Sequence, residues 1–262
     1  MLPGTFRKIF SSLTRNSCSA ATVLFCCAAG VSAENNVSSV LVRENTSEVH
    51  RQELTSKLRR ITGLPELGFD ANGVLRLGAK QPAGGSPSAR ALLEKAITGP
   101  TIIVMEDASN RPDVAFCSVF PGRWLRNAGL RRSAFVVMID FNDFQQVVGD
   151  RPAREAFDAG WAVLHELDHV VNDSADAHDT GEVGPCEDHI NNMRRELKLP
   201  ERMEYFYTLF PVSGNGNLFP TRFVRLAFEG RDESDKKKRY WLMWDAAVVG
   251  GPAESKELAA LK

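Results

Sequence analysis

The sequence lacks an excess of charge of either sign. Its 32 Lys and Arg residues are balanced by 33 Asp and Glu residues, which leaves a formal net charge of -1. Balanced charge gives no electrostatic basis for binding nucleic acid or an anionic membrane. The dense basic run "KKKR" at 236–239 is short and typical of a solvated hairpin turn. We therefore expect no nucleic-acid partner.

Cysteine is scarce, and three of the five cysteines lie within the first 33 residues. Those residues combine Arg7, Lys8 and Arg15 with an apolar segment and end in "VSA", the pattern of a secretory signal peptide. The apolar segment is shorter than the roughly 20 residues that span a membrane. We predict a signal peptide at 1–33, a secreted or periplasmic protein with no stable membrane span after its removal, and one domain at 34–262.

The two remaining cysteines, Cys117 and Cys186, belong to no C-x-x-C motif, which disfavours a catalytic thiol pair. In an oxidising compartment two cysteines suggest one disulfide. Two separate buried thiols are the first alternative. A Cys186 thiolate that binds a metal is the second.

Internal repeats and low-complexity linkers are also lacking. Hydrophobic periodicity and turn residues indicate the positions of the helices and strands. Helical spacing of apolar residues predicts helices, and short β-branched runs bounded by Gly, Pro or Asn predict strands of one sheet. Asn72-Gly73 predicts a hairpin turn, and Asp150 is a candidate N-cap. The predicted helices cover 47–61, "ARALLEKAIT", 151–172 and 185–197. The predicted strands are "TIIVMED", "DVAFCSVF" and "AFVVMIDF", with "RFVRLAFE" and "RYWLMWDA" joined by a long exposed connection in the C-terminal part.

Histidine is rare too, yet four of the five histidines fall between residues 161 and 190. His165 and His169 are four apart on a predicted helix, so both imidazoles can reach one metal ion. Glu166 lies between them and completes the arrangement H-E-x-x-H. In that arrangement the histidines bind zinc, and the Glu accepts a proton from the water that the zinc activates.

The segment "HELDH" resembles the zincin metallopeptidases, whose helix with this motif packs under a mixed sheet. The resemblance implies an α+β, zincin-like fold in which a small mixed sheet packs on the motif helix and a second ligand-bearing helix. The metzincin pattern is disfavoured, because Asn172 and Ala175 stand where it has Gly and His. The gluzincin pattern implies Glu187, 18 positions after His169, as the third zinc ligand. Competing candidates for that ligand lie in the intervening loop: Asp176, His178, Asp179 and Glu182.

The second predicted helix, "CEDHINNMRRELKLPER", is similar to the segment that follows H-E-x-x-H in secreted bacterial metallopeptidases, and the resemblance spans 161–202. It implies that Asn191 supports Glu187 without binding the metal itself. His189 is interpreted as a surface or supporting residue. Zincins also use a donor that stabilises the oxyanion of the transition state. Tyr205 is the preferred candidate for this catalytic role, ahead of Tyr207, Arg222 and Tyr240.

One residue departs from the zincin pattern. Asp168 stands in the motif where an uncharged residue is usual, and its burial would require a partner. We predict a zinc-dependent hydrolase acting on a peptide or protein substrate, with Glu166 as general base. The alternative is a catalytically inactive zincin-like domain that binds metal or a partner. Nothing in the sequence indicates an oligomeric state.

Overall fold

The computed structural model describes residues 38–109, 111–122, 133–179, 181–209 and 223–249. The chain divides into two compact units, residues 1–35 and residues 36–262, and all described residues belong to the second unit. The predicted signal peptide at 1–33 therefore lies outside the described residues.

The first sheet has four strands in the order β1-β4-β6-β5. Strands β1, β4 and β6 run parallel, and β5 pairs antiparallel with β6, so the sheet is mixed. Its strands are β1 (Val40–Val42), β4 (Ile102–Asp107), β5 (Cys117–Pro121) and β6 (Ala134–Ile139). The last three correspond to the three strands predicted for one sheet.

Four helices pack with this sheet around the larger hydrophobic core. They are α1 (Glu48–Thr62), α2 (Pro87–Thr98), α5 (Ala159–Asn172) and α6 (Gly184–Glu196). Helix α5 contacts β5 and β6 on one side and α1, α2 and α6 on others. Trp161 and Leu164 are buried in its core-facing stripe. The helix that carries the H-E-x-x-H motif is therefore fixed on several sides.

The helix predicted over 151–172 is wrong as a single element, because the structure has α4 (Arg151–Glu155) and then α5. Asp158 lies between them with extended backbone, and its Oδ1 accepts hydrogen bonds from the N–H groups of Gly160 (2.9 Å) and Trp161 (3.3 Å). These bonds satisfy donors that the first turn of a helix leaves free. Asp158 therefore begins a new helix. The predicted N-cap Asp150 does precede α4, but its side chain makes no capping hydrogen bond.

Replacing Asp158 is expected to destabilise the protein by about 1–2 kcal/mol, because Asp158→Ala removes the N-cap of α5. The same carboxylate pairs with Arg60 at 2.6 Å and Lys57 at 3.6 Å. Urea unfolding measures the loss. Asp158→Asn is the matched control, since Asn caps equally well and loses only the ion pairs, and the Lys57 and Arg60 side chains that are left unpaired are 25% and 49% exposed and can be hydrated. Equal stability of Asp158→Ala and wild type would contradict this role.

The second sheet is antiparallel, with the order β7-β11-β10-β8 and β9 paired to β10. Its strands are β7 (Val148–Gly149), β8 (Glu201–Arg202), β9 (Thr208–Leu209), β10 (Phe223–Arg231) and β11 (Lys237–Asp245). Strands β10 and β11 confirm the two predicted C-terminal strands. They extend into the charged run, so the predicted long connection shrinks to residues 232–236. A smaller hydrophobic cluster lies on this sheet.

A short helix and a two-stranded sheet complete the described fold. Helix α3 (Phe141–Gln146) follows β6, and β2 (Gly68–Phe69) pairs with β3 (Leu75–Arg76) across the predicted Asn72-Gly73 turn. The arrangement is mixed α/β, consistent with the predicted α+β class. Among the described residues, none of the helices has the length and apolar character needed to cross a membrane.

Candidate metal centre

Two imidazoles from one face of α5 form the base of the site. His165 and His169 lie one turn apart, and their Nε2 atoms are 3.1 Å from each other. The rings are nearly perpendicular, with centroids 4.7 Å apart. His165 is 8% exposed, so its imidazole is held by the surrounding side chains.

Asp176 reaches the same point from the segment that follows α5. Asp173 has a left-handed backbone conformation at the end of the helix and turns the chain. Asp176 Oδ1 then lies 3.0 Å from Nε2 of His165 and 3.3 Å from Nε2 of His169. A metal ion with bonds of about 2.0–2.2 Å holds its ligand atoms about 3–3.5 Å apart. The spacing of these three atoms fits one ion.

A fourth donor lies beside these three. The donor atoms of His165, His169, Asp176 and Cys186 all lie within 4.8 Å of one another. Imidazole, carboxylate and thiol are all common ligands of transition metals in proteins. The four residues could hold a metal ion.

The electrostatics of the cluster favour positive charge between these side chains. Burial lowers the pKa of His169, but the hydrogen bond to Asp176 and other nearby acceptors outweigh burial and raise the pKa to about 11. The pKa of His165 is raised in the same way against an opposing effect of burial. Burial raises the pKa of Asp176, and its hydrogen bonds to both histidines more than reverse that effect. The Asp176 carboxylate, which raises the pKa of both histidines, would also stabilise a bound cation.

Each imidazole presents Nε2 to the cluster and is contacted at Nδ1 by an oxygen. His169 Nδ1 lies 2.7 Å from the carbonyl oxygen of Ser174, an arrangement that leaves Nε2 free to bind a metal. His165 Nδ1 lies 3.3 Å from Glu187 Oε2, but the alignment is too poor for a hydrogen bond, and this buried nitrogen has no other partner among the described residues. The Glu187 carboxylate therefore lies close to His165 Nδ1 but forms no hydrogen bond with it.

Glu187, the predicted third ligand, therefore lies on the opposite side of His165 from the donor cluster. Its carboxylate is buried between two guanidinium groups, with Oε1 bonded to Arg194 and Oε2 lying 3.1 Å from Arg202 Nη1. Burial raises the pKa of Glu187, and the two arginines outweigh it and hold the pKa well below its usual value. The structure does not bring Glu187 into the donor cluster, because these two cations hold its carboxylate behind His165. Asn191 supports Glu187 indirectly, since its Oδ1 accepts hydrogen bonds from Arg194 and from the backbone of Arg202, both at 2.8 Å.

Glu166 lines a cavity of about 250 Å³ together with His165. Burial raises the pKa of Glu166, while the charges of His165 and His169 and a hydrogen bond from the N–H of Val119 on β5 oppose that effect. A carboxylate with a raised pKa is better matched to proton transfer near neutral pH. The cavity is also lined by the charged side chains of Glu187, Arg194 and Arg202 and by six aromatic residues: Phe116, Phe157, Trp161, Tyr205, Tyr207 and Trp244.

Tyr205, the preferred candidate for the oxyanion donor, lies next to the donor cluster. Its hydroxyl donates a hydrogen bond of 2.9 Å to Asp176 Oδ2, and its ring stacks on that of His165 with centroids 5.9 Å apart. Burial and the neighbouring Asp176 charge raise the pKa of Tyr205. The phenol therefore stays protonated at neutral pH and can donate a hydrogen bond.

Asp168 has partners that account for its burial. Its Oδ2 lies 2.9 Å from Nδ1 of His189, and its Oδ1 accepts a 2.6 Å hydrogen bond from the side chain of Asn172. It connects α5 to α6 through His189 and does not belong to the donor cluster. Asp168, the residue that departs from the zincin pattern, therefore forms a contact between α5 and α6.

The remaining candidates lie elsewhere. Among the competing third ligands, His178, Asp179 and Glu182 are exposed and lie outside the donor cluster. Among the alternative oxyanion donors, Tyr207 lines the cavity, while Tyr240 lies on β11 with its hydroxyl 3.5 Å from the carbonyl oxygen of Arg231. Arg222 lies outside the described residues.

The predicted disulfide is wrong, because Cys117 and Cys186 are both free thiols. Cys117 lies on β5 and Cys186 on α6, and α5 contacts both elements. The Cys186 thiol is directed at the carbonyl oxygen of His165, 3.4 Å away. Burial raises the pKa of Cys117 well above its usual value, so that thiol stays neutral.

Arg194 and Arg202 hold the Glu187 carboxylate, and neither residue had a predicted role. Glu187, Asn191 and Arg194 are spaced four and three apart on α6, so they share one face of the helix, and this stripe was the available signal. No protein-family model, curated protein or solved structure matches the chain.

Proposed function

We propose that the protein is a zinc-dependent hydrolase that cleaves peptide bonds outside the cytoplasm. His165, His169 and Asp176 serve as metal ligands, and Glu166 is the general base. The supporting observation is the set of three donor atoms 3.0–3.3 Å apart, next to a carboxylate of raised pKa that lines the same cavity as His165. Asp176 replaces Glu187 as the third ligand.

The donor set favours zinc, which binds imidazole, carboxylate and thiolate in sites of four ligands. A bound zinc ion would supply a water whose pKa is lowered from 15.7 to about 7. Glu166 would accept the proton of that water and pass it to the leaving amine. Tyr205 would turn its single hydroxyl proton from Asp176 Oδ2 to the developing oxyanion and donate a hydrogen bond to it there. The aromatic walls of the cavity suit an apolar side chain of the substrate.

Metal analysis tests the ligand assignment. We expect about one zinc per chain in the wild type and a large loss of zinc in Asp176→Ala, because that change removes one of three donors. Asp179→Ala is the matched control, since Asp179 is an exposed acid three residues further along the same loop. Zinc retained by Asp176→Ala would reject Asp176 as a ligand. A folded wild type that binds no zinc would reject the proposed function.

A second candidate is a secreted domain that binds metal without catalysis. It is favoured by Cys186, whose thiol offers a fourth protein donor where a catalytic zinc site keeps one position open. An unbiased peptide library separates the two. Cleavage by the zinc-loaded protein that chelator abolishes supports the hydrolase, and no cleavage across the library supports the binding domain.

A further inference from the structure

Backbone contacts hold Cys186 close to Asp176. The N–H of Cys186 donates a 3.0 Å hydrogen bond to the carbonyl oxygen of Ala175, the residue before Asp176. At the start of α6, Gly184 has φ +77°, and a Cβ at this position would lie 2.3 Å from the backbone nitrogen of Ala177. Only glycine allows this approach. The segment that carries Asp176 is therefore held directly against the first turn of α6.

This approach places the Cys186 sulfur at the donor cluster. Cys186 has no exposed surface, and its Sγ donates a weak hydrogen bond of 3.4 Å to the carbonyl oxygen of His165. The sulfur and the donor atoms of His165, His169 and Asp176 all lie within 4.8 Å of one another. Cys117 lies in the wall of the cavity and is only partly buried, and it does not belong to this group.

We propose that Cys186 is a fourth protein ligand of the metal, so that two histidines, one aspartate and one cysteine close the coordination sphere in the resting protein. This inference rests on the proposed zinc site. On binding, the S–H proton leaves to solvent and a sulfur lone pair forms the bond to the metal, so no oxidant or reductant is needed. The thiolate then competes with water for the fourth position, which makes the resting protein a slow enzyme.

Zinc K-edge X-ray absorption on the full chain tests the proposal. We expect one sulfur at about 2.3 Å from the zinc together with nitrogen and oxygen at about 2.0–2.2 Å in the wild type. Cys117→Ser, the matched control, should keep the sulfur signal. Cys186→Ser should lose it and bind zinc more weakly, by more than the roughly 10–100-fold that loss of an outer partner costs.

The outcomes separate this inference from the proposed function. A zinc-loaded wild type with only nitrogen and oxygen neighbours around the zinc overturns the role of Cys186 but not the proposed hydrolase function. This result comes from the wild type alone, so it does not depend on whether a variant folds. A wild type without zinc overturns the proposed function itself. Turnover gives an independent check, since Cys186→Ala should cleave peptides faster than the wild type. A wild-type rate equal to or above that of Cys186→Ala contradicts the closed resting site.

Discussion

Glu166→Gln is expected to lower peptide turnover by about 10²–10⁴-fold while leaving the zinc content unchanged. Gln has nearly the same size and shape as Glu but cannot accept a proton. The pKa of Glu166 is raised mainly by burial, which suits it to proton transfer near neutral pH. Glu166 is also outside the donor cluster, so its charge is not needed to hold the metal. Turnover and zinc content measured on the same samples check both parts.

Glu182→Gln is the control for this experiment, because it removes an exposed carboxylate from the neighbouring loop. It should keep both zinc and turnover. The comparison is best repeated in the Cys186→Ala background, where the proposed closed site no longer limits the rate. Full turnover in Glu166→Gln would exclude Glu166 as the base. Loss of zinc would show that Glu166 belongs to the ligand set.

Elements with strong local signals were predictable from the sequence. The N-cap Ser47 accepts a hydrogen bond from the N–H of His50 and begins α1 where predicted. The Asn72-Gly73 turn is closed by Asp70, which accepts hydrogen bonds from the N–H groups of Asn72 (2.9 Å) and Val74 (3.0 Å). These contacts join residues only a few positions apart, so they can be predicted from the local sequence. The break before α5 was missed because apolar spacing continues across Asp158, although Asp is a favoured N-cap.

The candidate metal site was predictable only in part, for a geometric reason. His165 and His169 are brought together by one helical turn, which the sequence encodes as a spacing of four. The position of the third donor, Asp176, depends on how the chain returns after α5, and that depends on the left-handed Asp173 and on Gly184. The resemblance to the gluzincin pattern favoured Glu187, with Asp176 among the competing candidates. The two arginines that hold Glu187 behind His165 come from α6 and β8, and their meeting is a tertiary contact.

Glu187→Gln is expected to destabilise the protein by about 3–5 kcal/mol, because it leaves the Arg194 cation without its partner in the interior. Arg194 is only 2% exposed, so water cannot replace the lost charge. Burial already lowers the pKa of Arg194, and the Glu187 charge and hydrogen bond are the largest effects that oppose it, with a further contribution from the Asp158 charge. Urea unfolding in the presence of a chelator isolates this loss from the stabilisation that bound metal adds.

The same variant distinguishes a ligand from a supporting residue. If Glu187 only contacts Nδ1 of His165, folded Glu187→Gln should still bind zinc, with affinity lowered by about 10–100-fold. Complete loss of zinc with little loss of stability would instead restore Glu187 as a ligand. The double variant Glu187→Leu with Arg194→Met is the control, because apolar replacement of a whole buried pair is often neutral or stabilising. It should recover most of the lost stability, since the remaining Arg202 side chain is 13% exposed and can reach water. Stability that stays low in the double variant would contradict the assignment of the loss to an unpaired Arg194 charge.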